Sequence, residues 1–242
     1  GPHFPIFEAT FQYGGVLVRV DALLPEGRAW QIVEVKASTS VKEEHAFDCA
    51  VQGWVIQGLG LDLKGISLAY VDNTFVYQGD GDYRGLLIEK DMAEEVEQLM
   101  PIIPEWVQKA GDAARAPEPD IPVGQHCFDP YACPFVRHCW PSDTDYPVLG
   151  LAGSRAKLAE FVMQGCRDIR DVPSSRLTER QQWIQRVTAS GQPELLAGAS
   201  QLVNDLAYPR YYLDFETIMP PVPIWAGTPP LRNPAVPVVL PL

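Results

Sequence analysis

The stretch VLVRVDALLPEGRAWQIVEVK, residues 16–36, decides the fold. Val16 to Leu24 and Trp30 to Val35 are rich in β-branched and aromatic residues, and Pro25-Glu26-Gly27 supplies turn chemistry between them. Phe4 to Gln12 reads the same way and is joined to the next segment by Tyr13-Gly14-Gly15. The pattern predicts a three-strand antiparallel meander. Downstream, Ser40 followed three residues later by Glu43 forms a capping box, which predicts a helix running to the glycines at 58 and 60. On that helix Phe47, Ala50, Val51, Trp54 and Val55 form a face to pack on the sheet, and Lys42, His45, Cys49 and Gln52 form a polar face. Gly65 to Val71 and Thr74 to Gln78 read as two further strands joined by Asp72-Asn73. The order β-β-β-α-β places the chain in the α/β class.

Beyond residue 80 the pattern is less regular. Asp91 to Val107 reads as an acidic helix, Ala116 to Pro122 as a proline-spaced linker, and Ser154 to Leu206 as short helices broken at Pro173 and Pro193. A strand is expected over Tyr211 to Phe215. From Met219 the chain carries eight prolines in 24 residues, a composition that predicts no packed element. Its change of character after Gly227 reads as a shift of reading frame, which sequencing the source gene tests.

With 242 residues and 46% hydrophobic content, the chain is long and apolar enough to bury a core. No apolar run approaches the roughly 20 residues that cross a bilayer, so a cytoplasmic protein without a membrane partner is expected. Gly1-Pro2-His3 resembles a protease-cleavage scar, and the natural protein is expected to begin upstream. The net charge of -12 argues against holding nucleic acid by bulk positive potential. Half of that charge, however, comes from Asp91 to Asp120, where eight acids face two bases. The region before it is nearly balanced, leaving room for a local basic groove.

The strand pattern places a distinctive set of residues together. Strand alternation puts Leu17, Arg19 and Asp21 on one face and Ile32, Glu34 and Lys36 on one face of the next strand. A short turn between antiparallel strands brings Asp21 beside Glu34. Two carboxylates at apolar strand ends repel if buried alone, and a hard cation such as Mg²⁺ or Mn²⁺ relieves that cost. Lys36 lies roughly 7 Å further along the strand from Glu34, within reach of a phosphate or a metal-bound water.

VRVD followed by IVEVK resembles the PD-(D/E)XK nuclease superfamily, in its RecB-like branch with the CRISPR-associated exonucleases, over about residues 4–80. The resemblance implies a restriction-endonuclease-like core with Asp21, Glu34 and the Val35 carbonyl as metal ligands and Lys36 as the catalytic lysine. Gln52, in AVQGW, matches the branch's glutamine motif. Glu8, in FEATF, stands where the branch often has another acidic or histidine ligand. The implied activity is a Mg²⁺- or Mn²⁺-dependent deoxyribonuclease, an exonuclease acting on single-stranded DNA or DNA ends with 5′-phosphate products. The branch's first helix has no counterpart ahead of residue 4. A second reading is therefore a truncated nuclease fold that binds DNA or a protein without turnover.

Cys127, Cys133 and Cys139 are spaced C-x5-C-x5-C, with prolines at 130, 134 and 141. Three thiolates so spaced suit zinc or an iron-sulfur cluster. Iron-sulfur members of the RecB-like branch carry three such cysteines after the core and a fourth before it. That resemblance implies a four-iron four-sulfur cluster in the intact protein; zinc is the alternative, with His126 or His138 as a further ligand. YYLDFET, residues 211–217, resembles the first motif of DEDD exonucleases of the RNase H-like fold, with Asp214 and Glu216 as metal ligands. No acid follows Glu216 to complete such a site. These readings divide the chain into a nuclease-like domain at 1–145 that includes the cysteines, a helical linker region at 146–208, and the start of an RNase H-like domain at 209–242. The combination resembles an uncharacterised bacterial family that joins both nuclease types.

Overall fold

A computed structural model of the chain describes residues 4–140, 143–208, 214–232 and 235–238. Two compact units emerge, one from residues 1–117 with 211–242, the other from residues 118–210.

The first unit is built on a five-stranded sheet of β1 (Ile6–Tyr13), β2 (Val16–Glu26), β3 (Ala29–Lys36), β4 (Leu63–Val71) and β5 (Leu87–Asp91), in that order. The meander forms: β1 pairs antiparallel with β2, and β2 with β3. Gly14 and Gly15, at φ 55° and 84°, make the two-residue turn between β1 and β2, a geometry that matches the twist of paired strands. A Cβ at Gly14 would lie 2.4 Å from the Trp54 ring, so no larger residue fits there. β3 and β4 run parallel, and α1 (Glu43–Gly58) supplies the crossover that a parallel pair needs. β5 closes the sheet antiparallel to β4.

The core lies between α1 and the sheet. Val20, Leu23, Ile32 and Leu68 meet Ala50, Val55 and Ile56 there, each essentially without solvent contact. Val18 and Val20 face this core, and so does Leu23. Alternation therefore slips once, at Asp21. The same place shows a gap between the pairs Phe7↔Ala22 and Ala9↔Val20.

Several sequence expectations are corrected. α1 starts at Glu43 rather than after a Ser40 cap; Lys42 is the N-cap, and its backbone N–H donates to His45 Nδ1 at 3.2 Å. The face expected to be polar and solvated is largely buried, with His45, Cys49 and Gln52 all covered. The reason is that α1 is flanked on more than one side. Its other flank carries Phe47, which meets Trp106 of α3 (Ile103–Arg115) edge-on at 5.3 Å. The single helix expected over 91–107 is split into α2 (Ala93–Leu99) and α3 by a 3-10 turn at Met100–Ile102, where Pro101 and Pro104 sit at the starts of new helical segments.

No strand forms over 74–78. Asp72 Oδ1 accepts hydrogen bonds from the Thr74 N–H at 2.8 Å and the Thr74 hydroxyl at 2.7 Å, which turns the chain. Tyr77 pairs instead with the proline-rich segment: its N–H donates to Thr228 O at 3.1 Å, and the Gly227 N–H donates to Tyr77 O at 2.7 Å. Pro223 and Pro230 are fully buried. The segment from Met219, expected to form no packed element, is thus anchored at Pro223, Pro230 and Tyr77, while Met219, Val222, Ile224 and Trp225 stay exposed. Proline lacks a donor but buries well where neighbouring residues supply the hydrogen bonds. Of the strand expected over 211–215, residues 211–213 lie outside the described residues. β6 (Asp214–Thr217) pairs antiparallel with β7 (Ala235–Val238).

The second unit holds α4 (Val136–Cys139), α5 (Arg155–Met163), α6 (Glu179–Ser190) and α7 (Ala199–Asn204) with intervening 3-10 turns. Val148, Leu158, Phe161, Ile169 and Val172 form its core. Buried Gln185 of α6 ties that core together by donating to Ile169 O at 2.9 Å and Val172 O at 2.6 Å. Cys127, Cys133 and Cys139 fall in this unit. Among the described residues no helix is long and apolar enough to cross a membrane.

Candidate active site

The pairing of β2 with β3 stops at Ala22↔Val33. One residue further, the same register would set Asp21 opposite Glu34. There the strands separate, and the Val35 N–H that would bond to β2 donates to Asp21 Oδ2 at 2.7 Å instead. A side-chain carboxylate thus replaces a backbone acceptor where the ladder ends. This keeps Asp21 beside Glu34 and leaves Asp21 Oδ1 without a partner among the described residues.

Glu34 is 6% exposed. A carboxylate so buried must be compensated, and two side chains do this. Gln52 Nε2 of α1 donates to Glu34 Oε2 at 2.6 Å, and Lys36 Nζ donates to Oε1 at 2.7 Å. Gln52 reaches Glu34 because the α1 face that carries it packs against the sheet. Its own Oε1 is buried with no hydrogen-bond partner among the described residues. That orphan acceptor faces the cost of burial without a donor and calls for a water or another O–H group.

Lys36 also bonds to Asp48 Oδ2 at 2.8 Å. Partial burial alone would lower the pKa of its ammonium. The hydrogen bonds and charges of Asp48 and Glu34 outweigh that effect and raise it, so Lys36 stays protonated. Asp48 was not among the residues singled out from sequence. Its spacing of four from Gln52 would have marked it, because residues at i and i+4 share a helix face. Cys49, buried behind the site, has its thiol pushed up to about 12, first by burial and then by Glu34 and Asp48. It is a packing residue with no nucleophilic character.

Glu8 lies across from Asp21, within the gap between Phe7↔Ala22 and Ala9↔Val20. Its φ of 56° marks a local irregularity of β1. The carboxylate is exposed and pairs with Arg19 at 2.8 Å. The structure therefore joins Asp21, Glu34, Val35, Lys36 and Gln52 in one site, and turns Glu8 toward Arg19 beside it.

The oxygens gathered here are hard ones, the carboxylates of Asp21 and Glu34. Among the described residues no three His, Cys, Asp or Glu side chains gather into a metal-holding group. The set fits a small divalent cation that keeps several waters, since such an ion takes only one or two carboxylates from the protein. The orphan Gln52 Oε1 matches that fit, because a bound water would supply the missing donor.

Cys127, Cys133 and Cys139 line a single pocket of about 580 Å³ with His126 and His138. Their side chains are not drawn together as a ligand trio. Cys127 is buried with Trp140 and Ala159, Cys139 is exposed, and His138 is engaged by Glu118 at 2.8 Å. The side chains of Asp214 and Glu216 lie outside what the structure describes. No protein-family model matches the chain, and neither the curated proteins nor the solved structures give a match.

Proposed function

We propose that this protein is a Mg²⁺- or Mn²⁺-dependent DNA nuclease of the PD-(D/E)XK type, with a restriction-endonuclease-like core, and that it acts as an exonuclease on single strands or ends. The observation that carries the reading is the buried Glu34, bracketed by Lys36 and Gln52 at the point where β2 and β3 separate beside Asp21. In this reading Asp21, Glu34 and the Val35 carbonyl hold the cation. When bound, that cation lowers the pKa of a water and offsets phosphate charge. Lys36, fixed in its protonated state, sets its ammonium where negative charge grows on the phosphate oxygens. Gln52 fixes the orientation of Glu34 and offers Oε1 as acceptor to a water proton.

The competing reading, a non-catalytic DNA- or protein-binding module, draws its support from the net charge of -12. Incubation of labelled single- and double-stranded DNA with Mn²⁺ separates the two. The nuclease reading expects cleavage by the parent chain that falls by roughly 10²- to 10³-fold in Lys36→Ala and in Asp21→Ala. Cleavage that survives both substitutions would place the site elsewhere. Binding of DNA without any cleavage favours the module.

The cysteines remain proposed ligands of a four-iron four-sulfur cluster in the intact protein, or of zinc. Their lining of one pocket supports this. Anaerobically purified intact protein should be brown, and Cys133→Ser should bleach it. Colourless protein with stoichiometric zinc would select the alternative.

A further inference from the structure

The Lys36 ammonium is shared between Glu34 at 2.7 Å and Asp48 at 2.8 Å. Glu34 is also the central carboxylate of the proposed cation site, so a cation and Lys36 compete for it. We propose that Asp48 is a positioning residue that draws Lys36 off Glu34 and thereby opens Glu34 to the divalent cation; this rests on the cation-binding reading of Asp21 and Glu34.

Three observations support it. Asp48 lies one helical turn before Gln52 on α1, so one helix supports both Glu34, through Gln52, and Lys36, through Asp48. The Asp48 side chain is 53% exposed whereas that of Glu34 is 8% exposed. Asp48 can therefore hold the ammonium at the rim without the desolvation that a buried partner demands. No other acidic side chain forms an ion pair with Lys36 among the described residues. Without Asp48 the ammonium would fall wholly to Glu34, and an incoming cation would have to displace it.

Mn²⁺ titration followed by electron paramagnetic resonance of the free ion tests this without requiring turnover. The parent chain should bind Mn²⁺ and lose it in Glu34→Gln. Asp48→Asn should bind about two- to fivefold more weakly, the scale of one partly exposed ion pair, and Asp48→Glu should restore binding. In a Lys36→Met background, or Lys36→Gln should that fold better, Asp48→Asn should change nothing. Equal weakening with and without Lys36 would reduce Asp48 to a nearby negative charge and overturn the proposal. Unchanged binding in Asp48→Asn alone also overturns it, while leaving the cation site intact. Failure of the parent to bind Mn²⁺ overturns both.

Discussion

At the scale of single residues, the account rests on how one buried carboxylate is satisfied. Gln52→Ala removes the 2.6 Å hydrogen bond to Glu34 and leaves a buried acceptor unpaired, a loss of about 1–3 kcal/mol. Urea denaturation should register that loss as a lower midpoint with an unchanged slope. His45 offers a second test. Burial lowers its pKa below the ordinary value, and its Nδ1 accepts the Lys42 N–H at the start of α1. Between the lowered folded value and the unfolded value of about 6.5, the unfolded chain binds more protons than the folded one. Stability therefore rises with pH through that window and is lost as pH falls below it. His45→Gln should flatten the dependence of melting temperature on pH just below the unfolded value of about 6.5; an unchanged slope would assign the dependence to other groups. Cys49, whose thiol is pushed up to about 12, should resist iodoacetamide in native protein at mildly alkaline pH and react once the chain is unfolded.

At the scale of elements, close packing of α1 on the sheet decides what substitutions the fold accepts. A Cβ at Gly53 would lie 2.6 Å from Ile66 Cδ1. Alanine is the better helix former by about 1 kcal/mol, but overpacking costs roughly 1–3 kcal/mol. Gly53→Ala should therefore be neutral to destabilising, measured by thermal melting, where an exposed helical glycine would gain. The same packing explains what sequence could and could not reveal. The meander was legible because glycine turns separate β-rich runs, and its register carries Asp21 to Glu34. The burial of His45, Cys49 and Gln52 was not, because α1 is covered on more than one flank and the apolar face its sequence shows is not the only one that packs. β5 escaped notice because Leu87–Asp91 is exposed along its whole length and holds only by pairing with β4. Thr74 to Gln78 has strand composition, yet Tyr77 spends its backbone hydrogen bonds on Gly227 and Thr228. That partner lies some 150 residues away, beyond any local pattern.

At the scale of the whole molecule, two units share one chain, and the first is completed by a segment from the far end of the sequence. Tyr77 and Tyr83 stack at 4.7 Å, and the Tyr83 hydroxyl donates to Pro223 O at 3.2 Å. Deleting residues 219–242 should lower the melting temperature and speed proteolysis around residues 75–86; unaltered protection would show that the segment is dispensable. The central claim is that the carboxylates at the end of β2 and β3, with Lys36, direct water onto a DNA phosphorus. Cleavage of a single-stranded oligonucleotide by the parent chain with Mn²⁺ in ¹⁸O-labelled water, read by mass spectrometry, tests it most directly. Attack at phosphorus with departure of the 3′ oxygen predicts one ¹⁸O in each product 5′-phosphate and almost no product from Lys36→Ala. Label in a 3′-phosphate, or equal product from Lys36→Ala, would contradict it.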